Sequence, residues 1–217
     1  MPGFADLAAD PTARMDAIAL ALAGEFREVD EDAALARLDE LGADVAAAAG
    51  AGAMDELEAL GVVLGARRGF AGAIEEYDHP DNSMLDLVLE RRTGLPIALA
   101  VVYVATARRA GIALDGVGLP GHYVVGQFAR DGSATLLDPF AGGVRLAAPQ
   151  THAADVRPWG AHETALRMLN NLVGSYTRRN DLGRAIRAAE LRLELPLEPA
   201  LQRVLGAELL GLRARLN

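Results

Sequence analysis

Few side chains in this sequence could carry out covalent chemistry. The chain contains no cysteine, which excludes thiolate nucleophiles, thiolate metal ligands and disulfides. A hydroxyl nucleophile needs a general base within about 3 Å, and Thr93 and Ser83 are the hydroxyls nearest to the helical segment that follows Gly94. The histidines show none of the short spacings that mark ligand pairs, so the sequence predicts neither a metal nor a cofactor. They are His79, His122, His152 and His162.

Helical periodicity surrounds a central segment with the periodicity of strands, which predicts an α+β fold. Predicted helices cover residues 10–23, 30–45, 54–66, 83–91, 96–110, 161–179, 181–195 and 198–215. Predicted strands cover residues 112–119, 122–128, 134–140 and 143–147. Asp131-Gly132 favours a two-residue hairpin turn, so the strands form a small antiparallel sheet. Residues 46–54 fit either a flexible joint or a turn between helices, and residues 75–83 fit a loop.

Capping residues set the predicted helix boundaries. Asp10 precedes Pro11 and is placed to cap the first helix. Ser83 or Asn82 caps the helix that ends near Arg91. The next helix begins near residue 96 and is apolar on all sides, which predicts that it is buried.

Four motifs between residues 77 and 146 resemble the bacterial SirB-type branch of the transglutaminase-like superfamily. They are NSML (82–85), ERRTGLP (90–96), GVGLPGH (116–122) and DPFAGG (138–143). Their order along the chain makes the resemblance far more specific than any one of them. It implies a papain-like transglutaminase core with a small antiparallel sheet over residues 71–158, after an N-terminal helical region at 1–70.

Catalytic members of that superfamily use a cysteine at the start of a buried helix, where the helix N-terminus stabilises the thiolate. A histidine on the next strand transfers the proton, and an aspartate on the strand after fixes its tautomer. The resemblance places this histidine at His122 and this aspartate at Asp138. The cysteine position falls on Pro96, which has no nucleophilic atom but suits a helix start. The predicted binding residues are Asn82, Ser83, Thr93 and Tyr123.

Residues 169–199 resemble one tetratricopeptide repeat, which is two antiparallel helices joined by a short turn. Small residues at Ala185 and Ala189 lie one helical turn apart and allow close packing. One repeat cannot bury its own face, so residues 159–217 are predicted to form a helical tail that packs on the core, on the last helix or on a partner.

Charge is distributed unevenly along the chain. The net charge is −9; residues 1–60 hold 14 acids against 3 arginines (−11), and residues 61–217 hold 16 acids against 18 arginines (+2). Nucleic acid is therefore not an expected partner. No apolar run has the length of a membrane span, so no membrane is expected, and a cytoplasmic location is predicted. The arginine pairs at 91–92 and 108–109 are predicted to pair with nearby acids such as Glu90 or Asp86.

Three hypotheses follow for function. The leading one is a non-catalytic protein that binds a protein or peptide in a cleft near Pro96, His122 and Asp138. The second is a hydrolase or transferase of amide bonds, with His122 as general base and water or Thr93 as nucleophile. The third is a stabiliser of a complex, in which the acidic helices within residues 10–60 meet a basic partner.

Overall fold

The computed structural model describes residues 2–52, 54–146 and 156–216 as a mixed α+β structure. Its α-helices are α1 (Phe4–Ala9), α2 (Met15–Gly24), α3 (Glu31–Gly50), α4 (Glu56–Leu60), α5 (Leu85–Arg91), α6 (Pro96–Arg109), α7 (Ala161–Arg178), α8 (Leu182–Glu194) and α9 (Pro199–Ala214). Its strands are β1 (Ala71–Gly72), β2 (Thr93–Gly94), β3 (Asp115–Leu119), β4 (His122–Phe128), β5 (Ala134–Asp138) and β6 (Val144–Arg145). A π-helical segment, Gly61–Arg67, continues α4, and a 3-10 turn covers Pro80–Ser83.

Helix α6 is the centre of the core. It packs against α2, α3 and α5 on its helical sides and against β3 and β4 of the sheet. From Pro96 to Ala105 its side chains are apolar around the whole circumference, so every face of this part can be buried. The predicted buried helix at residues 96–110 is thus confirmed.

The antiparallel sheet has the order β3-β4-β5-β6. Tyr123, Val125 and Leu137 project from one face into the main core, and Val117, Val124 and Leu136 form a smaller cluster on the other. The outer edge of β3 is closed by Trp159, whose N–H donates to the carbonyl of Gly116 at 2.8 Å. A second sheet pairs β1 with β2 in parallel.

The acidic N-terminal helices are held to the rest of the chain by arginines. Several acids of residues 1–60 have a cationic partner later in the sequence. The pairs are Asp16 with Arg108 and Arg109, Glu25 with Arg187, Asp39 with Arg109, Glu40 and Asp44 with Arg68, and Asp55 with Arg145. Much of the negative charge of this region is therefore neutralised within the molecule.

The N-terminal helix boundary differs from the prediction. Instead of capping a helix over residues 10–23, Asp10 accepts the N–H of Thr12 at 2.8 Å and its hydroxyl at 2.7 Å. This local turn competes with helix formation, so α2 begins only at Met15, and α1 precedes the turn. By contrast, the helix predicted to begin at residue 30 does begin there, with Asp30 as the residue that caps α3 by accepting the N–H of Ala33 at 3.0 Å.

Two other local predictions were wrong. Asn82 and Ser83 lie in the 3-10 turn and do not cap α5, which starts after Met84 without a side-chain cap. The β4–β5 hairpin exists, but Ala129 donates its N–H to the carbonyl of Ser133 at 2.8 Å, and Gly132 has φ +83°. This is a longer loop with a glycine in the left-handed region, not a two-residue turn.

Candidate functional site

His122 and Asp138 meet at one end of the antiparallel sheet. His122 is the first residue of β4 and Asp138 the last of β5, so antiparallel pairing brings them together. Nε2 of His122 lies 2.9 Å from Oδ2 of Asp138. The other carboxylate oxygen of Asp138 accepts the N–H of Phe140 at 2.9 Å. The His122 side chain is 32% exposed, and within the described ranges its Nδ1 has no hydrogen-bond partner.

An arginine from the C-terminal helices fixes the turn that leads into His122. Arg167 on α7 donates to the carbonyls of Leu119, at 3.2 and 3.3 Å, and of His122, at 2.9 Å. Its guanidinium also lies 5.6 Å from the ring centre of Tyr123. Gly121, inside the turn, has φ +70°, a conformation that glycine adopts without strain. The position of the imidazole therefore depends on α7 as well as on the sheet.

Glycines on the π-helical segment support the turn after Asp138. A Cβ atom on Gly65 would lie 1.8 Å from the carbonyl oxygen of Gly142, and one on Gly61 would lie 2.5 Å from that of Gly143. Only residues without a Cβ allow this approach of two backbones. The N-terminal helical region thus supports the aspartate of the dyad.

Pro96 occupies the first position of α6 and is buried. The strand before it, β2, pairs with β1, where Ala73 donates its N–H to the carbonyl of Gly94 at 3.1 Å. Gly72 in turn donates to the carbonyl of Phe140 at 2.9 Å. This short backbone network connects the start of α6 to the turn that carries Asp138. The N-terminus of α6 is therefore connected to the turn after Asp138, and its first residue is a proline, whose side chain has no reactive atom.

Three of the predicted binding residues lie in the segments that precede α6. Asn82 is buried and donates its side-chain amide to the carbonyls of Glu76, at 2.9 Å, and Tyr77, at 3.3 Å. Ser83 is buried, and Thr93 is half-buried in β2. Tyr123 is buried on the opposite face of β4 from His122 because side chains alternate along a strand.

The Tyr123 hydroxyl has a partner of its own. It lies 2.7 Å from the hydroxyl of Thr164 on α7, and the ring packs edge-on against Trp159 with centres 5.7 Å apart. Burial raises the pKa of Tyr123 to about 12. These contacts assign Tyr123 to the packing between sheet and tail.

Aromatic residues that the sequence did not single out flank the dyad. Phe140 meets His122 edge-on, with ring centres 6.3 Å apart, and Tyr77 meets Phe140 edge-on at 5.9 Å. Ile74, in the same loop as Tyr77, is 83% exposed, and Tyr77 is 48% exposed. The position of Phe140 two residues after Asp138 was the available signal, whereas Tyr77 lay in a segment read only as a loop.

Metal binding receives no support from the geometry. Across the part of the chain that the structure describes, no three histidine, aspartate or glutamate side chains converge as ligands. His79 accepts the N–H of Asp81 at 3.3 Å, and Nε2 of His162 lies 3.1 Å from the carbonyl of Leu7. His152 lies outside the described residues.

Comparison with known proteins matches this chain to a family. A model of the transglutaminase-like superfamily matches residues 32–187. A UPF0162 protein of Xylella fastidiosa (strain 9a5c) is 39% identical over 166 residues, 68% of this chain and 58% of the relative. A UPF0162 protein of Pseudomonas aeruginosa is 37% identical over 147 residues, 66% of this chain and 52% of the relative. F-box only protein 21 of Mus musculus is 32% identical over 84 residues, 39% of this chain and 13% of the relative.

These comparisons have two bounds. The chain spans just over half the length of these two UPF0162 proteins, and no solved structure matches it. None of the helices in the described ranges combines the length and hydropathy that a membrane span requires.

Proposed function

Because this chain belongs to the transglutaminase-like superfamily and has Pro96 at the helix start where the resemblance places the nucleophilic cysteine, we propose that it binds a polypeptide without cleaving it. The observation that carries the proposal is the dyad. His122 and Asp138 keep a 2.9 Å contact, while the first position of α6 holds no group that a base could activate.

The tautomer of His122 suggests how a polypeptide is bound. With the ionised Asp138 as acceptor, the ring hydrogen of a neutral imidazole resides on Nε2. Nδ1 is then left as a hydrogen-bond acceptor on a side chain that solvent can reach. A backbone N–H of an extended segment is the complementary donor, and the rings of Phe140 and Tyr77 offer apolar contact to a neighbouring side chain.

The available lone pair on Nδ1 also favours a second candidate, an amide-bond hydrolase or transferase. His122 would act as general base toward a bound water molecule or toward Thr93. Thr93 forms no hydrogen bond with His122 in this structure, so water is the better nucleophile for this candidate.

Two matched variants separate the candidates. His122→Gln removes the dyad, and His79→Gln removes a histidine of similar exposure that has no contact with Asp138. We expect no release of amine or ammonia from a panel of peptides, and about tenfold weaker peptide binding only in His122→Gln. Peptide turnover that disappears in His122→Gln but persists in His79→Gln would establish the enzyme instead.

We further propose a finer classification of the chain. The four motifs between residues 77 and 146 favour the SirB-type branch, with its core over residues 71–158. The packing of α7 on α8, and of α9 on α8, supports one tetratricopeptide repeat within a tail at 159–217. Ala185 and Ala189 are fully buried there, as close helix packing requires. A cytoplasmic location is part of the same proposal.

A further inference from the structure

The loop beside the dyad exposes an unusual combination of side chains. Residues 74–77, here called the dyad-side loop, read Ile-Glu-Glu-Tyr, and all four are exposed. Ile74 is the most exposed large apolar residue of the described chain, and Tyr77 is about half exposed. Glu75 and Glu76 form no ion pair with any cation in the described ranges, whereas the next acid, Asp78, pairs with Arg178.

The dyad-side loop is held in place. Glu76 has φ +50°, a left-handed conformation that side chains rarely adopt. The Asn82 amide, at 2.9 Å, and the N–H of His79, at 2.8 Å, both donate to the Glu76 carbonyl and maintain this conformation. Tyr77 then packs on Phe140, which contacts His122. The backbone at Glu76 is therefore fixed, and Tyr77 connects this loop to the ring that contacts His122.

We infer that the dyad-side loop docks a polypeptide segment in which an apolar side chain neighbours an arginine or lysine. This inference rests on the proposed function and names the class of its ligand. Ile74 and Tyr77 would be covered by the apolar side chain, which removes nonpolar surface from water. Glu75 and Glu76 would meet the cation, and charge complementarity would select it over a neutral or acidic neighbour.

A displayed library of random peptides tests the inference on the intact protein. Selection uses the wild type, with counter-selection on His122→Gln so that only dyad-dependent binders are kept. We expect enrichment of sequences with arginine or lysine beside leucine, isoleucine, valine or phenylalanine. An enriched peptide should bind roughly tenfold less tightly to Glu75→Gln/Glu76→Gln than to the wild type. This difference in affinity should shrink as salt is raised.

The control removes two exposed acids from other parts of the surface. Asp32→Asn/Glu90→Gln removes two negative charges, as the loop variant does, and should leave affinity unchanged. The inferred ligand class would be wrong if the dyad-dependent peptides lacked a basic residue, or if both double variants lost peptide affinity equally. In either case the proposed function would stand. A selection that yields no peptide dependent on His122 would overturn the proposed function itself.

Discussion

The two ends of α6 use polar groups in opposite ways. At the C-terminal end, Arg108 and Arg109 lie 3.3 and 2.8 Å from the buried carboxylate of Asp16. Arg109 also donates to Asp39 at 2.5 Å and to the carbonyl of Ala105 at 3.0 Å. The polar groups at this end are therefore bonded to one another within the molecule. At the N-terminal end, the helix starts with a proline, and the nearby dyad leaves one imidazole nitrogen unbonded among the described residues.

This difference separates residues that stabilise the fold from residues that are available to a ligand. A buried charge without its partner is costly, so the charges at the C-terminal end must be satisfied internally. A polar atom with unused bonding capacity at a partly exposed site costs little and can bind something else. Substitutions of the charged residues at the first end should mainly change the free energy of unfolding, and substitutions in the dyad should mainly change ligand binding.

The largest effect should come from Asp16→Asn. Asp16 is 1% exposed, and loss of its charge leaves Arg109 with weaker compensation, so we expect a loss of about 3 kcal/mol in unfolding free energy. Asp39→Asn is the matched control, because Asp39 bonds the same arginine but is 70% exposed; it should cost less than about 1 kcal/mol. Urea titration measures both, and equal losses would contradict the distinction between buried and exposed partners.

The next largest effect should come from Gly65→Ala, which tests the backbone contact that supports the turn after Asp138. Gly65→Ala places a Cβ against the carbonyl of Gly142, where neither backbone can move freely, so we expect a loss of about 1–3 kcal/mol. Gly206→Ala is the control, because no atom lies within 4 Å of its added Cβ; it should stabilise α9 by about 0.5–1 kcal/mol.

The same variant should also affect the site. Displacement of the turn after Asp138 should alter the His122 imidazole resonances in Gly65→Ala and leave them unchanged in Gly206→Ala. Normal His122 resonances in a destabilised Gly65→Ala protein would show that the glycine contact supports the fold but not the dyad.

Pro96→Cys should change the free energy of unfolding by less than about 1 kcal/mol. Its main effect should be to introduce a thiol with a lowered pKa. Proline and cysteine both fit a helix start, and the natural chain has no other thiol. If the N-terminal end keeps the superfamily's geometry, the helix start and the dyad should lower the pKa of the new thiol by at least about one unit from 8.5. The rate of alkylation against pH measures this, with Ser133→Cys in the exposed hairpin loop as reference. Equal pKa values for the two thiols, read from the midpoints of their pH–rate profiles, would mean that the dyad does not face position 96.

The sequence predicted the parts of the site that depend on local pattern. The period change after Gly111 marked the sheet, the apolar circumference of α6 marked its burial, and the DPF and PGH motifs marked Asp138 and His122. The proline at the helix start was also readable, because Pro96 ends the ERRTGLP motif.

Contacts between distant segments could not be read in the same way. Nothing local indicates that Arg167 would reach the carbonyl of His122, 45 residues away in sequence, or that Gly65 would touch Gly142. The arginines at 108 and 109 were expected to pair with acids near in sequence, but their carboxylate partners, Asp16 and Asp39, lie far from them along the chain. Helical spacing predicts neighbours on the same element only.

The smallest expected effect concerns an exposed ion pair at the dyad end. Arg178 hydrogen-bonds Asp78 and holds the pKa of that carboxyl below its ordinary value. A lowered native pKa means that the pair stabilises the fold fully above the unfolded value of about 3.9, and that this contribution is lost as pH falls through the native pKa. Both side chains are largely solvated, so solvent screening limits the contribution to less than about 1 kcal/mol.

Asp78→Asn should therefore flatten the acid limb of the stability–pH curve slightly and leave its shape above pH ~5 unchanged. Arg178→Gln should produce the same change, because removal of either partner removes the same interaction, and the double variant should add little. Thermal unfolding from pH ~2 to ~7 measures the curves. Since Asp78 directly follows the dyad-side loop, a loss as large as that of Asp16→Asn would mean that this loop is part of the stabilising network, and the contrast between the two ends of α6 would fail.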